Sequence, residues 1–285
     1  MLKDDSNGTV NKDADDKKRR RKAADIIYYV VMALLAGVFL FAAYHVYSIK
    51  HNYDVAVNEY KDLDKSVKIS DESTAAKSAD ESGTDAAEES TNVYFPSVDI
   101  DFDTLKAKNG DLIGWIYIPA LDISYPVMQG KDNEHYLHYT YDGTKNSSGS
   151  IFMDYQSSRN MTDMNTFIYG HNMKNGSMFG KLKKFNQDKT LCDSDPYIYY
   201  FRENRSYKYR IFAYYITKVG SKTYNNMGTS EEYDAYMKYV GSVNQYKTNV
   251  ENKDRAQILT LSTCSGLHTD NRMIVQGILA GKIKN

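Results

Sequence analysis

Residues 258–264 read ILTLSTC, and residues 272–275 read RMIV after a polar loop. Both stretches are short runs of apolar and β-branched residues, which is the pattern of a strand. If the two strands pair as a hairpin, the end of the first lies beside the start of the second. This pairing predicts that Cys264 and Arg272 are neighbours at one end of a sheet.

Six further runs of this kind precede the hairpin. They are Ile113–Ile118, Ile123–Val127, Ser150–Met153, Thr166–Tyr169, Tyr197–Phe201 and Tyr207–Val219, and the last two runs of the chain extend over Gln257–Thr263 and Met273–Ala280. About eight short strands separated by turn residues favour a closed or nearly closed β-barrel over a βαβ sheet. The sequence therefore predicts a mainly β fold built on an eight-stranded barrel.

Two helices are expected at the periphery of this barrel. A short helix spans Asp103–Lys108, with Asp101 or Asp103 as its N-cap. A longer helix spans Ser230–Tyr246, where apolar residues recur at helical spacing after Ser230 as the cap. The longer helix falls between the last pairs of strands.

The N-terminal segment has the composition of a membrane anchor. Ile26–Ile49 holds no formally charged residue, and at about 1.5 Å rise per residue it can cross a hydrocarbon core of roughly 30 Å. It is longer than the apolar part of a cleaved signal peptide, which is about 7–15 residues. A buried core helix is the alternative, but such a helix rarely lacks a polar face over this length. We therefore expect one uncleaved transmembrane helix.

The charges next to this helix predict its orientation. Lys17–Lys22 is an unbroken basic run, a feature of nucleic-acid binding or of the cytoplasmic flank of a membrane helix. The apolar run that follows favours the second interpretation, and the 36 basic and 37 acidic residues of the chain give no overall charge that would attract nucleic acid. The positive-inside rule then places residues 1–25 in the cytoplasm and everything beyond residue 50 outside the cell.

Composition predicts the remaining boundaries. Residues 50–65 can either continue the helix or pack on the domain beyond. Ser66–Asn92 has no aromatic residue and is rich in Ser, Thr, Ala, Asp and Glu, so it cannot bury enough surface to offset its ordering entropy. The sequence predicts a helical or disordered acidic stalk over residues 50–92 and a folded domain over residues 93–285. A chain that starts at Val93 is expected to fold by itself.

Cys264 is a candidate nucleophile because it lies where a strand gives way to a polar loop. A structural cysteine usually lies inside an apolar run instead. Arg272 can stabilise a thiolate, or the oxyanion that forms when a thiol attacks a carbonyl, although an ordinary surface arginine at a strand start is the alternative. The only other cysteine is Cys192, so at most one disulfide can form, and none if a free thiol is required.

Two histidines compete for the role of acid/base partner. His171 follows a strand-like run and a glycine that permits a sharp turn, and it can deliver a proton to a leaving amine near neutral pH. His268 is only four residues beyond Cys264 but lies in the middle of a loop. His135 and His138 are three residues apart without a third ligand at metal-site spacing, so no metal site is predicted.

These motifs together resemble the sortase family of Gram-positive cell-surface transpeptidases, and in detail class B. TLSTC is followed by an arginine eight residues after the cysteine, and GHN lies upstream. The resemblance covers roughly residues 102–282 and includes DLIGWIYIPALDISYPVMQGKDNEHYLHYTYDG, GSIFMDYQ, NTFIYGHNMKNGSMFGKL and TLSTCSG. The long helix between the last strand pairs is also a class B feature.

The resemblance implies a sortase-type barrel whose groove binds an NPxT-type sorting signal near the C-terminus of a secreted protein. Cys264 would attack the Thr carbonyl, His171 would protonate the departing amine, and Arg272 would give electrostatic support. An amine of the peptidoglycan precursor would then take the acyl group from the thioester. The same comparison assigns four residues to the substrate groove: Asn133, Leu137, Tyr169 and Ser262.

The residues alone leave three hypotheses of function open. The first is a membrane-anchored transpeptidase that needs no cofactor and fixes secreted proteins to the cell wall. The second is a cysteine endopeptidase, in which water resolves the same thioester. The third is an inactive surface scaffold that kept the barrel. An added amine separates the first two hypotheses, and thiol reactivity separates both from the third.

Overall fold

The computed structural model describes residues 6–76, 93–194, 196–246, 248, 250, 252, 254–264 and 270–285. The chain divides into two compact units, residues 1–52 and residues 53–285. Six helices are described: α1 (Ser6–Asp64), α2 (Phe102–Lys108), α3 (His135–His138), α4 (Lys184–Gln187), α5 (Leu191–Ser194) and α6 (Ser230–Val243).

Ten strands are described in the same parts of the chain. They are β1 (Val67–Ala76), β2 (Val93–Ile100), β3 (Leu112–Ile118), β4 (Ile123–Met128), β5 (Ile151–Met153), β6 (Asn165–Tyr169), β7 (Tyr197–Arg202), β8 (Arg205–Lys218), β9 (Ile258–Cys264) and β10 (Asn271–Lys284). Strands β3 to β10 close into a barrel in the order β10-β8-β7-β3-β4-β5-β6-β9. The predicted eight-stranded barrel is therefore confirmed, and each of the eight runs became a strand with ends shifted by a few residues.

In unit 1, helix α1 carries the predicted anchor. One helix among the described residues is long and apolar enough to cross a membrane, with a mean hydropathy of 2.5 over an 18-residue window. Its side chains from residue 26 to residue 47 are exposed in the isolated chain. Exposed apolar side chains over this length fit a lipid environment by length and composition.

Of the eight pairs of neighbouring strands in the barrel, two are parallel and six are antiparallel. The parallel pairs are β4 with β5 and β6 with β9. Since parallel partners point the same way, β6 and β9 end at the same end of the barrel. That end also receives the start of β10, which pairs antiparallel with β9.

Helix α6 packs on the outside of the barrel. Tyr233, Tyr236 and Val240 are buried at helical spacing, and they form a core cluster with residues of β8 and β10. The predicted cap was one residue off: Thr229 caps the helix, and its side chain accepts from the backbone of Glu232 in a capping box. The helix ends at Val243 rather than at residue 246.

The predicted stalk has defined structure over two segments. The helix expected over residues 50–65 forms and its last turns pack in the barrel unit, where Ala56, Tyr60 and Leu63 are 2%, 6% and 6% exposed. After a short turn, β1 pairs antiparallel with β2 from Val67 opposite Ile100. Composition could not reveal this strand, because its pairing depends on backbone groups of a segment distant in sequence. Residues 77–92, the rest of the predicted stalk, lie outside the described residues.

We therefore predict that the start of the folded unit lies near Tyr53, and not at Val93. A chain that starts at Val93 loses four buried side chains, those of Ala56, Tyr60, Leu63 and Val67, and the partner of β2, whereas a chain that starts at Tyr53 keeps them. Removal of buried apolar side chains costs about 2–5 kcal/mol each where the site cannot collapse. Urea unfolding of the two shortened chains is expected to give a free energy of unfolding lower by at least about 3 kcal/mol for the Val93 start. Equal values would contradict the observed packing.

Candidate active site

A cavity of about 540 Å³ opens at the end of the barrel where β6 and β9 finish. Its wall includes all the predicted site residues whose side chains are described. It is lined by Asn133, Glu134, Leu137, Phe152, Tyr169, Gly170, His171, Val219, Gly220, Tyr224, Ser262, Thr263 and Arg272. The predicted residues are far apart in sequence, so the barrel topology is what collects them.

The strand register places Arg272 opposite Cys264, and it brings His171 to the same end of the barrel. Tyr169 of β6 lies opposite Ser262 of β9, and the Gly170 amide donates to the Ser262 carbonyl at 3.2 Å. His171 and Cys264 each follow that pair by two residues, so both come just after this end of the β6–β9 ladder. On the other side of β9, Arg272 lies directly opposite Cys264. Neighbouring strands are about 4.8 Å apart, so the backbones of Arg272 and Cys264 are adjacent.

His171 is held by a backbone carbonyl. Its Nε2 lies 2.8 Å from the carbonyl oxygen of Leu137, the third residue of α3. A carbonyl can only accept, so Nε2 carries a proton in this arrangement, and the neutral ring keeps its lone pair on Nδ1. Burial lowers the pKa of His171, the bond to Leu137 opposes that shift, and nearby His138 adds to it. The imidazolium of His171 is therefore a stronger acid than that of an exposed histidine.

Glycine suits position 170 because neighbouring side chains come close to its Cα, and not because the chain turns sharply there. A Cβ atom at Gly170 would lie 2.4 Å from Ile151 Cδ1 and 2.9 Å from the ring of Phe179. The Phe179 amide donates to the carbonyl of His171 at 3.0 Å. The glycine thus lets the chain pass close to β5 and to Phe179, which in turn holds the main chain of His171.

A carboxylate that was not singled out from the sequence joins two of the predicted groove residues. Asp154, directly after β5, accepts from Tyr169 Oη at 2.8 Å and from Asn133 Nδ2 at 3.0 Å. Burial, and then the charge of Asp154, raise the pKa of Tyr169, so its hydroxyl stays a donor. The signal was present in the motif GSIFMDYQ, where an aspartate follows a strand, but no spacing rule connects it with residues 133 and 169.

Tyr224 is a second residue that the sequence did not indicate. Its hydroxyl lies 2.9 Å from Ser262 Oγ, and its ring stacks on Phe167 at 5.9 Å between centroids. Tyr224 ends a single 3₁₀ turn, Lys222–Tyr224, after β8. Nothing in the local sequence predicts that this turn reaches across to β9.

Arg272 is half-buried at the start of β10 and lines the cavity. Its Nη1 donates to the carbonyl of Asn271 at 3.0 Å. The side chain is therefore part of the site and not an ordinary surface arginine. A guanidinium has five donor N–H groups in a fixed planar arrangement.

Cys192 and His135 do not line this cavity. Cys192 is fully buried as a free thiol, so the one disulfide that two cysteines allow is not formed, and burial raises the pKa of its thiol to about 12. His268 lies outside the described residues. His135 stacks on Tyr139 at 4.5 Å between ring centroids, and within the described residues no group of three or more metal-ligating side chains gathers.

Known proteins match both the sequence and the fold. The model of the sortase domain matches residues 116–280. Sortase B of Listeria monocytogenes is 33% identical over 256 residues, which are 87% of this chain and 95% of that protein. The structure of Clostridium perfringens sortase B is 32% identical at a TM-score of 0.58, with 62% of this chain and 98% of that chain covered. Sortase B from B. anthracis, in complex with AAEK1, is 28% identical at a TM-score of 0.62, with 82% and 100% covered.

The chain belongs to the sortase family, whose members are cysteine transpeptidases. Its relatives and structural neighbours place it within class B of that family.

Proposed function

We propose that the chain cleaves an NPxT-type sorting signal and transfers the acyl fragment to an amine of the peptidoglycan precursor, with Cys264 as nucleophile. The observation that carries this proposal is that His171 and Arg272 line one cavity, and that Arg272 lies opposite position 264 in the β9–β10 ladder. A thiol, a titratable imidazole and a fixed cation are groups that promote acyl transfer through a thioester. Cys192 is unsuited to the role, because burial keeps its thiol protonated.

The first half-reaction forms a thioester. The thiol proton of Cys264 passes to Nδ1 of the neutral His171 imidazole, the sulfur attacks the carbonyl carbon of the substrate threonine, and the carbonyl π electrons move to oxygen. As the tetrahedral intermediate collapses, the C–N bond breaks and the leaving amine takes a proton from the His171 imidazolium. The lowered pKa of His171 favours this donation, since a buried imidazolium gives up its proton more readily.

The second half-reaction restores the thiol. The acceptor amine attacks the thioester and His171 takes the proton that the amine loses. The C–S bond breaks as the new amide forms, and the departing thiolate takes that proton from the His171 imidazolium. Because Nε2 of His171 is held by Leu137 O, Nδ1 is the nitrogen that carries the proton in both steps. A fixed tautomer spares the ring from reorienting between the two half-reactions.

Arg272 is proposed to stabilise the charge on the reacting carbonyl oxygen. Arg272 lies opposite Cys264 in the β9–β10 ladder, and we expect its guanidinium to reach the carbonyl oxygen of an acyl group carried by that residue. A planar guanidinium can address two acceptors in fixed geometry, which a lysine ammonium cannot. Its charge also favours the thiolate form of the nucleophile.

The groove is proposed to bind the sorting signal along β6. Leu137 offers an apolar contact, and Ser262 and Tyr169 offer hydroxyl groups. The bonds of Asp154 to Asn133 and Tyr169 hold two of these side chains in one orientation. Side chains that are already ordered lose less entropy when the peptide binds.

The cellular setting follows from α1. An apolar helix with a basic flank at its N-terminal side is proposed to anchor the enzyme in the membrane, with residues 1–25 in the cytoplasm and the barrel outside. There the barrel meets secreted proteins and the peptidoglycan precursor. Two observations support this setting. The basic run of residues 17–22 precedes the apolar helix, and the chain belongs to the sortase family.

Product analysis tests the proposed reaction. An NPxT peptide with a free amine acceptor is expected to yield the ligated product, identified by its mass, and Cys264→Ala is expected to abolish it. Cys192→Ala is the matched control and is expected to keep most turnover, because that thiol is buried and protonated. Hydrolysis without ligation at a saturating amine concentration would identify a cysteine endopeptidase instead. Loss of product in Cys192→Ala alone would reassign the nucleophile.

The assisting groups are tested by their effect on kcat/KM. General acid catalysis contributes about 10²–10⁴-fold, and one oxyanion donor about 10²–10³-fold. His171→Ala and Arg272→Ala are therefore each expected to lower kcat/KM by at least about a hundredfold. Arg272→Lys is expected to be nearly as damaging, because the charge remains but the planar fork is lost. His268→Ala is the control; a severe effect of that variant, with a mild effect of His171→Ala, would overturn the assignment.

A further inference from the structure

Tyr60 lies in the last turns of α1, where that helix packs on the barrel. Its side chain is 6% exposed. The hydroxyl donates to the carbonyl of Gly149 at 2.8 Å and lies 3.2 Å from Ser150 Oγ. Burial raises the pKa of Tyr60, so the hydroxyl stays protonated and remains a donor. A tyrosine 89 residues away in sequence is thus fixed to the segment before β5.

The segment that Tyr60 holds supports α3. The Ser150 amide donates to the carbonyl of Tyr136 at 2.8 Å, and Ser150 Oγ donates to the carbonyl of Tyr139 at 2.9 Å. Gly149 has a positive φ of 53°, and a Cβ atom there would lie only 2.8 Å from Leu137 O. Gly149 and Ser150 therefore fix both sides of the α3 turn whose Leu137 carbonyl accepts from His171.

A second path connects Tyr60 to the main chain of His171. The ring of Tyr60 packs edge-on against Tyr125, with 5.3 Å between centroids. Tyr125 Oη accepts from the Met178 amide at 3.1 Å. The next residue, Phe179, donates its amide to the carbonyl of His171. One side chain of α1 therefore supports both the acceptor of the His171 ring and the loop that holds the His171 backbone.

The neighbouring residue supports the same part of the fold. Glu59 Oε1 accepts from the Asp142 amide at 3.0 Å, in the turn that follows α3. Two consecutive residues of α1 thus hold two points of the segment between α3 and β5. Tyr60 itself does not line the cavity that contains His171.

We propose that Tyr60 is a positioning residue for the transpeptidase reaction, which sets His171 through the Gly149–Ser150 segment and through Tyr125. The proposal rests on the proposed catalytic role of His171. It makes the segment between the membrane anchor and the barrel a part of the framework of the active site, and not a spacer. The orientation of His171 is then fixed by contacts with a helix that precedes the barrel.

Tyr60→Phe in the full-length chain tests this proposal, because it removes the hydroxyl and keeps the ring. Tyr53→Phe, on the same helix and also packed against the core, is the matched control. The first measurement is the pH titration of the His171 imidazole by NMR. Among the described residues, His138 acts on the pKa of this ring, and Glu134 and Arg272 line the same cavity; both variants leave these groups and Cys264 unchanged. Kinetics with an NPxT peptide are the second measurement.

The expected result follows from the hydrogen bond of the His171 ring to the Leu137 carbonyl. This bond stabilises the imidazolium and so raises the pKa of His171. When that carbonyl is less firmly held, the pKa of His171 falls further, and Tyr60→Phe shifts the titration to lower pH while Tyr53→Phe does not. The value of kcat is expected to fall by about 3- to 10-fold, the effect of one lost net hydrogen bond, with KM nearly unchanged. Ser150→Ala, which removes the next link, is expected to shift the titration in the same direction.

Two outcomes would overturn the proposal. One is an unchanged His171 titration and kcat in Tyr60→Phe, even if the free energy of unfolding falls, because Tyr60 would then be structural only. The other is an undiminished effect of Tyr60→Phe on the residual rate in a His171→Ala background, because Tyr60 would then act by another route. The NMR titration reports how His171 is positioned, whether or not His171 is catalytic. The rate of His171→Ala by itself tests the proposed function. The two proposals can therefore fail separately.

Discussion

The site depends on one feature of the barrel, the parallel pairing of β6 with β9. Because these strands run the same way, both finish at one end, and the residues just beyond them stand side by side. The antiparallel partner on the other side of β9 begins where β9 ends, so Arg272 lies opposite Cys264. A shift of one residue in either register would turn alternate side chains to the opposite face of the sheet. The chemistry therefore depends on a backbone ladder more than on any single side-chain contact.

Around this ladder, the polar groups of the site are held by partners outside the cavity. The ring of His171 is bonded to a backbone carbonyl, and Tyr169 and Asn133 share the carboxylate of Asp154. These hydrogen-bond partners fix the orientation of each side chain, and burial shifts the pKa of the side chain that they hold. The pKa of His171 is lowered mainly by burial, while its bond to Leu137 opposes that shift. Loss of either influence would change the acid strength of the imidazole without any change in the residues that face the substrate.

The sequence predicted the features that depend on local pattern. Each barrel strand is a short apolar run between turn residues, and the motifs around His171 and Cys264 lie at strand ends, so both could be located without a structure. Features that depend on long-range contact were missed. The stretch from Val67 is too acidic to suggest a strand, yet it pairs with β2. Tyr224 reaches Ser262 from a turn 38 residues earlier, and no periodicity encodes that contact.

The central claim is that Cys264 carries the acyl group, and the most direct measurement is the mass of the trapped intermediate. The chain is incubated with an NPxT peptide without an amine acceptor, quenched in acid and digested for peptide mapping. If Cys264 is the nucleophile, the peptide that contains Cys264 carries an added acyl fragment, and hydroxylamine releases this fragment, as it does a thioester. An adduct on Cys192, or turnover with an adduct that resists hydroxylamine, would contradict the assignment of Cys264.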